Sequence, residues 1–326
     1  MRISAIVCTH NRAPLLRKGL VSLVQQTVAV EDYEIIVVDN ASRDGTKEVT
    51  CLVREMEKAS NLRYLYEPRL GLSHARNRGM NEADGEIVAF IDDDAIAAPE
   101  WLEMIERAFE DVDPRPACVG GKVEPIWGIP KPDWFPQLLV GYLSVLDLGD
   151  EAHWCDTAKE HLVGCNIAFW KEALLGLGGF NPLLGRRGQS LRGNEEIELL
   201  RKMKQRGQGI YYEPKAVVHH FIPKERLTKK WMIRRFYDEG LSDSVLGMYE
   251  SDGVTPPRAR QLARNLQSVR INALKAVSAD NGEQRTLFQT RAAYSLGRAV
   301  YFLQCILMRP LSLAKDPLRQ LHSRHE

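Results

Sequence analysis

Apolar residues along the first 115 positions fall into two rhythms. The stretches "ISAIVCT", "YEIIVVDN", "LRYLYE" and "EIVAFID" are short, nearly continuous apolar runs of strand length. Between them, "APLLRKGLVSLVQQ", "TKEVTCLVREMEKA" and "GLSHARNRGMNEA" place apolar residues at helical spacing. Strands apolar on both faces and separated by helices predict a mostly parallel sheet covered by helices on each side. The expected fold class is therefore α/β, of the doubly wound kind.

Beyond about residue 115 the rhythm loosens. "PIWGIPKPDWFPQ", rich in proline and tryptophan, reads as an extended loop, and Trp127 and Trp134 offer flat faces suited either to sugar rings or to packing. "LVGCNIAFWKEALLGLGGF" predicts a strand and a helix closed by glycines. "NEEIELLRKMKQRG" predicts a helix entered at Asn194 and left at Gly207, and "GIYYEPKAVVHH" a further strand. A helix is also expected from Pro99, in "APEWLEMIERAF". From Arg226 onward the chain turns basic and helical, in "KKWMIRRFYDEG", "RARQLARNLQSVRINALKAV" and "LFQTRAAYSLGRAVYFLQCILM". The expected division is a main domain over residues 1–225 and a helical extension over 226–326.

Composition narrows the function classes. The 326 residues suffice for one large core or two smaller ones. Forty-four Lys and Arg stand against 43 Asp and Glu, so no overall field recruits nucleic acid. The six cysteines show no paired metal spacing and several sit in apolar runs, which fits reduced thiols and a cytoplasmic setting. The opening "MRISAIVCTHNR" reads as a first strand rather than an export signal. No run is long and apolar enough for a membrane span. The nearest approach, "AVYFLQCILM" between Arg298 and Arg309, suits either packing or a peripheral place on a bilayer surface, at the inner face of a membrane.

Ligands of doubly wound sheets bind beyond the carboxyl ends of the strands, and polar residues gather at those ends here. Thr9 and His10 follow the first strand, Asp39 and Asn40 the second, Glu67 the third, and Asp92, Asp93 and Asp94 the fourth. Three adjacent carboxylates repel, and burying them requires a compensating cation. Carboxylates are hard oxygen ligands for Mg2+ or Mn2+, although solvation at a strand end accommodates them equally well.

Six segments, in order and covering most of residues 1–222, resemble the family 2 nucleotide-sugar glycosyltransferases of GT-A fold: "IVCTHNR", "YEIIVVDNASRDGT", "GLSHARNRG", "EIVAFIDDDAIAAPEWL", "GCNIAFWKEALLGLGGF" and "GNEEIELLRKMKQRG". The resemblance implies an inverting transfer of a sugar from a nucleoside-diphosphate donor to a hydroxyl of a glycan, a lipid-linked sugar or a small acceptor. It implies an Mn2+ or Mg2+ site at Asp92 and Asp94, with Asp92 or Asp93 alternatively on the ribose hydroxyls. Asp39 would meet the base, Thr9 and Arg12 would line the same pocket, and Arg76 would sit near the phosphates. Glu196 falls where the family places its general base, usually an aspartate, and Glu195 stays open for that role. His220, rather than His219, is the expected third metal ligand. The loop "GRRGQSLRG", with Arg186, Arg187 and Arg192, is expected either to close over bound donor or to remain an ordinary surface loop. Two other classes stay open: a non-catalytic sugar-nucleotide scaffold, and a sugar nucleotidyltransferase, whose glycine-rich loop "CTHNRAPLL" lacks.

Overall fold

The computed structural model describes residues 2–156, 159–250 and 258–307. They form two compact units. The first gathers the chain up to Gly128, Val140–Pro182 and Glu195–Ile222; the second gathers Ile129–Leu139, Leu183–Asn194 and the chain from Pro223 onward.

In the first unit, β1 (Ile3–Thr9), β2 (Tyr33–Asp39), β3 (Leu62–Tyr66) and β4 (Ile87–Asp92) pair in parallel in the order β3-β2-β1-β4. Their crossovers contain α1 (Ala13–Val24), α2 (Thr46–Met56) and α3 (Leu72–Glu82). Every residue of β2 is buried, as expected for a strand covered on both faces. Side-chain alternation divides the core. Ala5, Val7, Ile35 and Val37 join Leu16 and Leu20 of α1, whereas Ile6, Ile36 and Val38 join Ala75 and Met80 of α3. Thr9 pairs with Asp39, Asp39 with Tyr66 and Cys8 with Asp92, so the carboxyl ends finish at one level.

The rest of the sheet is mixed. It comprises β5 (Ala95–Ala97), β6 (Cys118–Trp127), β7 (His153–Trp154), β8 (Asn166–Trp170) and β9 (Ile210–Ile222). The full order is β3-β2-β1-β4-β8-β6-β9-β5, with β7 beside β9. β8 runs antiparallel to both β4 and β6. Helices α4 (Trp101–Asp111), α5 (Lys171–Gly176) and α6 (Glu195–Gln205) cover it. The segment "PIW", expected as loop, is the end of β6, hydrogen-bonded to β9; Trp127 there is half-buried.

Helix α4 begins at Trp101 rather than Pro99, because the Trp101 N–H bonds Ala98 O and closes a turn around the proline. Trp101 is buried and its indole donates to Asn166 Oδ1 at 2.8 Å. The Asn166 amide in turn donates to Lys122 O and Ala216 O, which ties β8 to β6 and to β9 beyond it.

Between Gly121 and Val123 the pairing of β6 with β9 shifts: Gly121 faces Glu213 but Val123 faces Val218. A Cβ on Gly121 would lie 1.9 Å from Ala216 O, so only glycine permits this approach.

The second unit contains α7 (Lys229–Glu250), α8 (Arg258–Val277) and α9 (Gly282–Leu307), in line with the helices expected from the basic segments. α7 and α9 approach closely through Gly240, whose Cβ would meet Tyr294 O at 2.1 Å, and Gly297, whose Cβ would meet Tyr237 O at 2.1 Å.

The arginine-bearing loop at 183–194 is anchored to α7. Leu191 N–H donates to Asp238 Oδ2 at 2.7 Å, Gly193 N–H to Ser242 Oγ at 3.2 Å, and Asn194 Nδ2 to Asp243 Oδ1 at 2.7 Å. Asp243 Oδ2 accepts from the Tyr294 hydroxyl at 2.6 Å. Trp134 packs against Phe135 beneath the Lys229 ammonium, a packing role for this indole.

Among the described residues no helix is long and apolar enough to cross a membrane. The apolar run at the end of α9 buries Ala299, Tyr301, Phe302 and Cys305 and exposes Leu303, Ile306 and Leu307, while Arg309 lies outside the described residues.

Candidate active site

β4 ends at Asp92, the chain turns through Asp93 and Asp94, and β5 pairs with β9 so that Ala95 faces His220. The positive charge demanded by these carboxylates comes in part from the chain itself. Arg12, immediately before α1, donates from Nη1 to Asp93 Oδ1 and from Nη2 to Asp94 Oδ2, each at 2.6 Å. Thr9 Oγ1 donates to the second Asp93 oxygen at 2.7 Å. Asp93 and Asp94 are buried. Burial pushes the Asp93 carboxyl up to about 7, against the pull of the Arg12 guanidinium.

Asp92 is the more open member, with one third of its side chain accessible and Arg76 Nη2 at 3.7 Å. Arg76 projects from α3, is buried, and donates to Glu195 Oε1 at 2.8 Å and to Gly164 O at 3.0 Å. The Phe180 and Phe90 rings flank its guanidinium at 5.2 and 5.8 Å. A Cβ at Gly164 would come within 2.6 Å of Arg76 Nη2, so that glycine makes room for the cation. Arg76 thereby bridges Asp92 and the first turn of α6.

The two glutamates at the start of α6 differ. Glu195 is buried in the ion pair with Arg76. Glu196 Oε2 is buried and, among the described residues, makes no hydrogen bond. The two histidines of β9 point to opposite sides, as strand alternation requires. His220 is buried with Nε2 at 3.2 Å from Asp94 Oδ1, whereas His219 is partly exposed, 3.3 Å from Glu124.

One residue that the sequence reading left among the apolar positions also belongs here. Cys165 Sγ, an Asp92 carboxylate oxygen and a His220 ring nitrogen all lie within 4.8 Å of one another. The available signal was register: Ile91 pairs with Asn166, which sets Asp92 opposite Cys165.

At the next strand end, Asp39 accepts from Ser42 N–H at 2.8 Å and from the Tyr64 hydroxyl at 2.6 Å. Burial, and then the hydrogen bond to Asp39, push the Tyr64 phenol above its ordinary range. Asn40 fastens the rim by donating to Glu67 O and Arg69 O and accepting from Gly71 N–H. Gly71 enters α3 at φ 144°, a conformation open to glycine.

Asp92, Asp93, Asp94, Glu195 and Glu196 thus share one region with two guanidiniums, those of Arg12 and Arg76. Among the described residues, these five carboxylates beside the Arg12 and Arg76 guanidiniums, together with a Glu196 oxygen that makes no hydrogen bond, fit a divalent cation and a proton acceptor.

The family model for glycosyl transferase family 2 matches residues 4–176. Glucosyl-dolichyl phosphate glucuronosyltransferase of Haloferax volcanii is 27% identical over 251 residues, 76% of this chain and 78% of that protein. Succinoglycan biosynthesis protein ExoM of Rhizobium meliloti is 26% identical over 260 residues, 78% of each. Among solved structures, mannosyltransferase PcManGT from Pyrobaculum calidifontis, in complex with GDP-Man and Mn2+, superposes with a TM-score of 0.58 at 22% identity, covering 99% of this chain and 79% of that one. S. aureus TarS 1-349 in complex with UDP gives 0.52 at 17% identity, covering 94% and 91%. The architecture is that of GT-A glycosyltransferases. With more than half its length matched by the family model, the chain belongs to glycosyl transferase family 2.

Proposed function

We propose that this glycosyltransferase moves a sugar from a nucleoside diphosphate to an acceptor hydroxyl with inversion, assisted by Mn2+ or Mg2+. The observation that carries the reading is the pairing of an over-acidic, buried strand end with an unpartnered Glu196 oxygen. Asp92, Asp94 and His220 would hold the cation, which when bound offsets charge on the departing diphosphate. Asp39 would accept from the base N–H, with Thr9 and Arg12 fixing the aspartate turn beside it. Asp92 alone of the three aspartates is open enough to reach ribose hydroxyls as well, because Asp93 is held by Thr9 and Arg12. Glu196 would take the acceptor proton, since Glu195 is committed to Arg76. Arg76 acts from within the wall, placing its guanidinium between Asp92 and Glu195.

The relative named for a glucosyl-dolichyl phosphate substrate supports a lipid-linked acceptor. So does α8, which carries Arg258, Arg260, Arg264, Arg270 and Lys275 and no acidic residue, and exposes Leu266, Ile271, Leu274 and Val277. That charge suits an anionic lipid surface.

The test has two stages. Thermal shifts with UDP, GDP and dTDP, each with and without Mn2+, should single out one nucleotide whose stabilisation depends on the metal. Transfer from the matching sugar nucleotide should fall by about 10²–10⁴ in Glu196→Gln while donor binding persists. Equal turnover by wild type and Glu196→Gln would remove Glu196 as the base; binding without turnover in wild type across a panel of acceptors would favour a sugar-nucleotide scaffold.

A further inference from the structure

We propose that Asp92, Cys165 and His220 form a three-ligand site that takes a thiophilic divalent ion, Zn2+ or Cd2+, in preference to Mg2+ or Mn2+. The inference rests on the reading that Asp92 and His220 face the donor cation, and adds a ligand of different chemistry to that place. Sulfur, imidazole nitrogen and carboxylate oxygen come from three separate strand ends, with all three ligand atoms within 4.8 Å of one another.

Two ladders fix this convergence. The β4–β8 ladder, with Ile91 on Asn166, carries Asp92 opposite Cys165, and the β5–β9 ladder sets His220 beside Ala95, three residues beyond Asp92. Cys165 and His220 are buried, whereas Asp92 is partly open, so an ion has a protein floor and an approach past Asp92.

Around tetrahedral zinc, with metal–ligand bonds of about 2.0–2.3 Å, neighbouring ligand atoms stand roughly 3.6 Å apart. From separations of at most 4.8 Å, closing to that spacing takes a shift of about 1 Å or less between any two of the ligand atoms. A thiolate, an imidazole and a carboxylate make a borderline-soft set, which ranks zinc above the hard cations. Three protein ligands leave one position for water or a phosphate oxygen, so the soft ion would occupy the donor's cation place and exclude Mn2+ from it. The thiol proton is released to solvent on binding, with no change of oxidation state.

Cadmium reports sulfur ligation directly, through the ultraviolet charge-transfer band of a thiolate–cadmium bond. Titrating the full-length, reduced protein with Cd2+ should produce this band with one equivalent per chain. The band should vanish in Cys165→Ser, and His220→Ala should weaken the affinity by about tenfold or more. Zn2+ should remove it at lower concentration than Mn2+ does.

Persistence of the full band in Cys165→Ser, or an equal competitive effect of Zn2+ and Mn2+, overturns the proposal. Cadmium NMR on the unaltered protein reads the same point without any variant: one sulfur among nitrogen and oxygen ligands supports it, and a shift for oxygen ligands alone overturns it. Mn2+ binding followed by electron paramagnetic resonance separates the two levels. Mn2+ that binds normally to wild type lacking a sulfur-ligated Cd2+ site leaves the donor-cation reading standing while this inference falls; absence of both removes both.

Discussion

Arg12 stands at the point where residue chemistry decides most. Its guanidinium spans two buried carboxylates, and truncating one partner of such a pair leaves uncompensated charge that the site cannot solvate. Arg12→Met should therefore lower stability by about 3 kcal/mol in denaturant unfolding, and an unchanged unfolding midpoint would show the aspartates to be hydrated instead. That such a cation was needed could be read from "DDD" after an apolar run, and Arg12 stood within "CTHNR", but sequence does not show one arginine spanning Asp93 and Asp94. His220 is inward and His219 outward because β9 alternates, a distinction that a strand's phase supplies only once its neighbours are known. Cys165 and Asn166 were illegible for a related reason. Their partners lie far away in sequence: Asp92 meets Cys165 through antiparallel pairing, Trp101 arrives on a helix and Ala216 on a strand two places along the sheet, none of which an apolar run announces.

At the scale of elements, the first four strands were legible because parallel central strands are apolar on both faces. β6 was not, since its second half carries proline and tryptophan and exposes one face. The helices of the second unit were legible from their spacing, but their close approach was not: glycine in a helix reads as a defect until its neighbour is seen. Gly297→Leu would drive a side chain against Tyr237 O, and overpacking of this kind should cost at least 1–3 kcal/mol and show as a separate, earlier loss of helical signal on heating. A second prediction concerns Tyr294. Burial and the adjacent Asp243 push its phenol up to about 12, above the ordinary value near 10. Between these values the folded form holds a proton that the unfolded form has lost, so this group's stabilising contribution shrinks as pH rises from about 10 to 12. The stability advantage of wild type over Tyr294→Phe should decline across that window; a constant difference would show that neither burial nor Asp243 raises this phenol on folding.

For the whole molecule, the near balance of charges conceals an uneven distribution, since α8 alone holds five cations and no acid. Vesicles rich in anionic lipid should carry the protein upward in flotation at low salt and release it at high salt, with neutral vesicles carrying none. Arg264→Glu with Arg270→Glu should abolish flotation without lowering thermal stability. The site itself depends on counting along β9. One residue of β6 lies between Gly121 and Val123, whereas four residues of β9 lie between their partners, Glu213 and Val218. Chain-length variation in that interval is thus constrained by parity: an insertion or deletion of two keeps the imidazole of His220 on its own face of the strand, whereas a change of one turns the following strand over and presents His219 on that face instead.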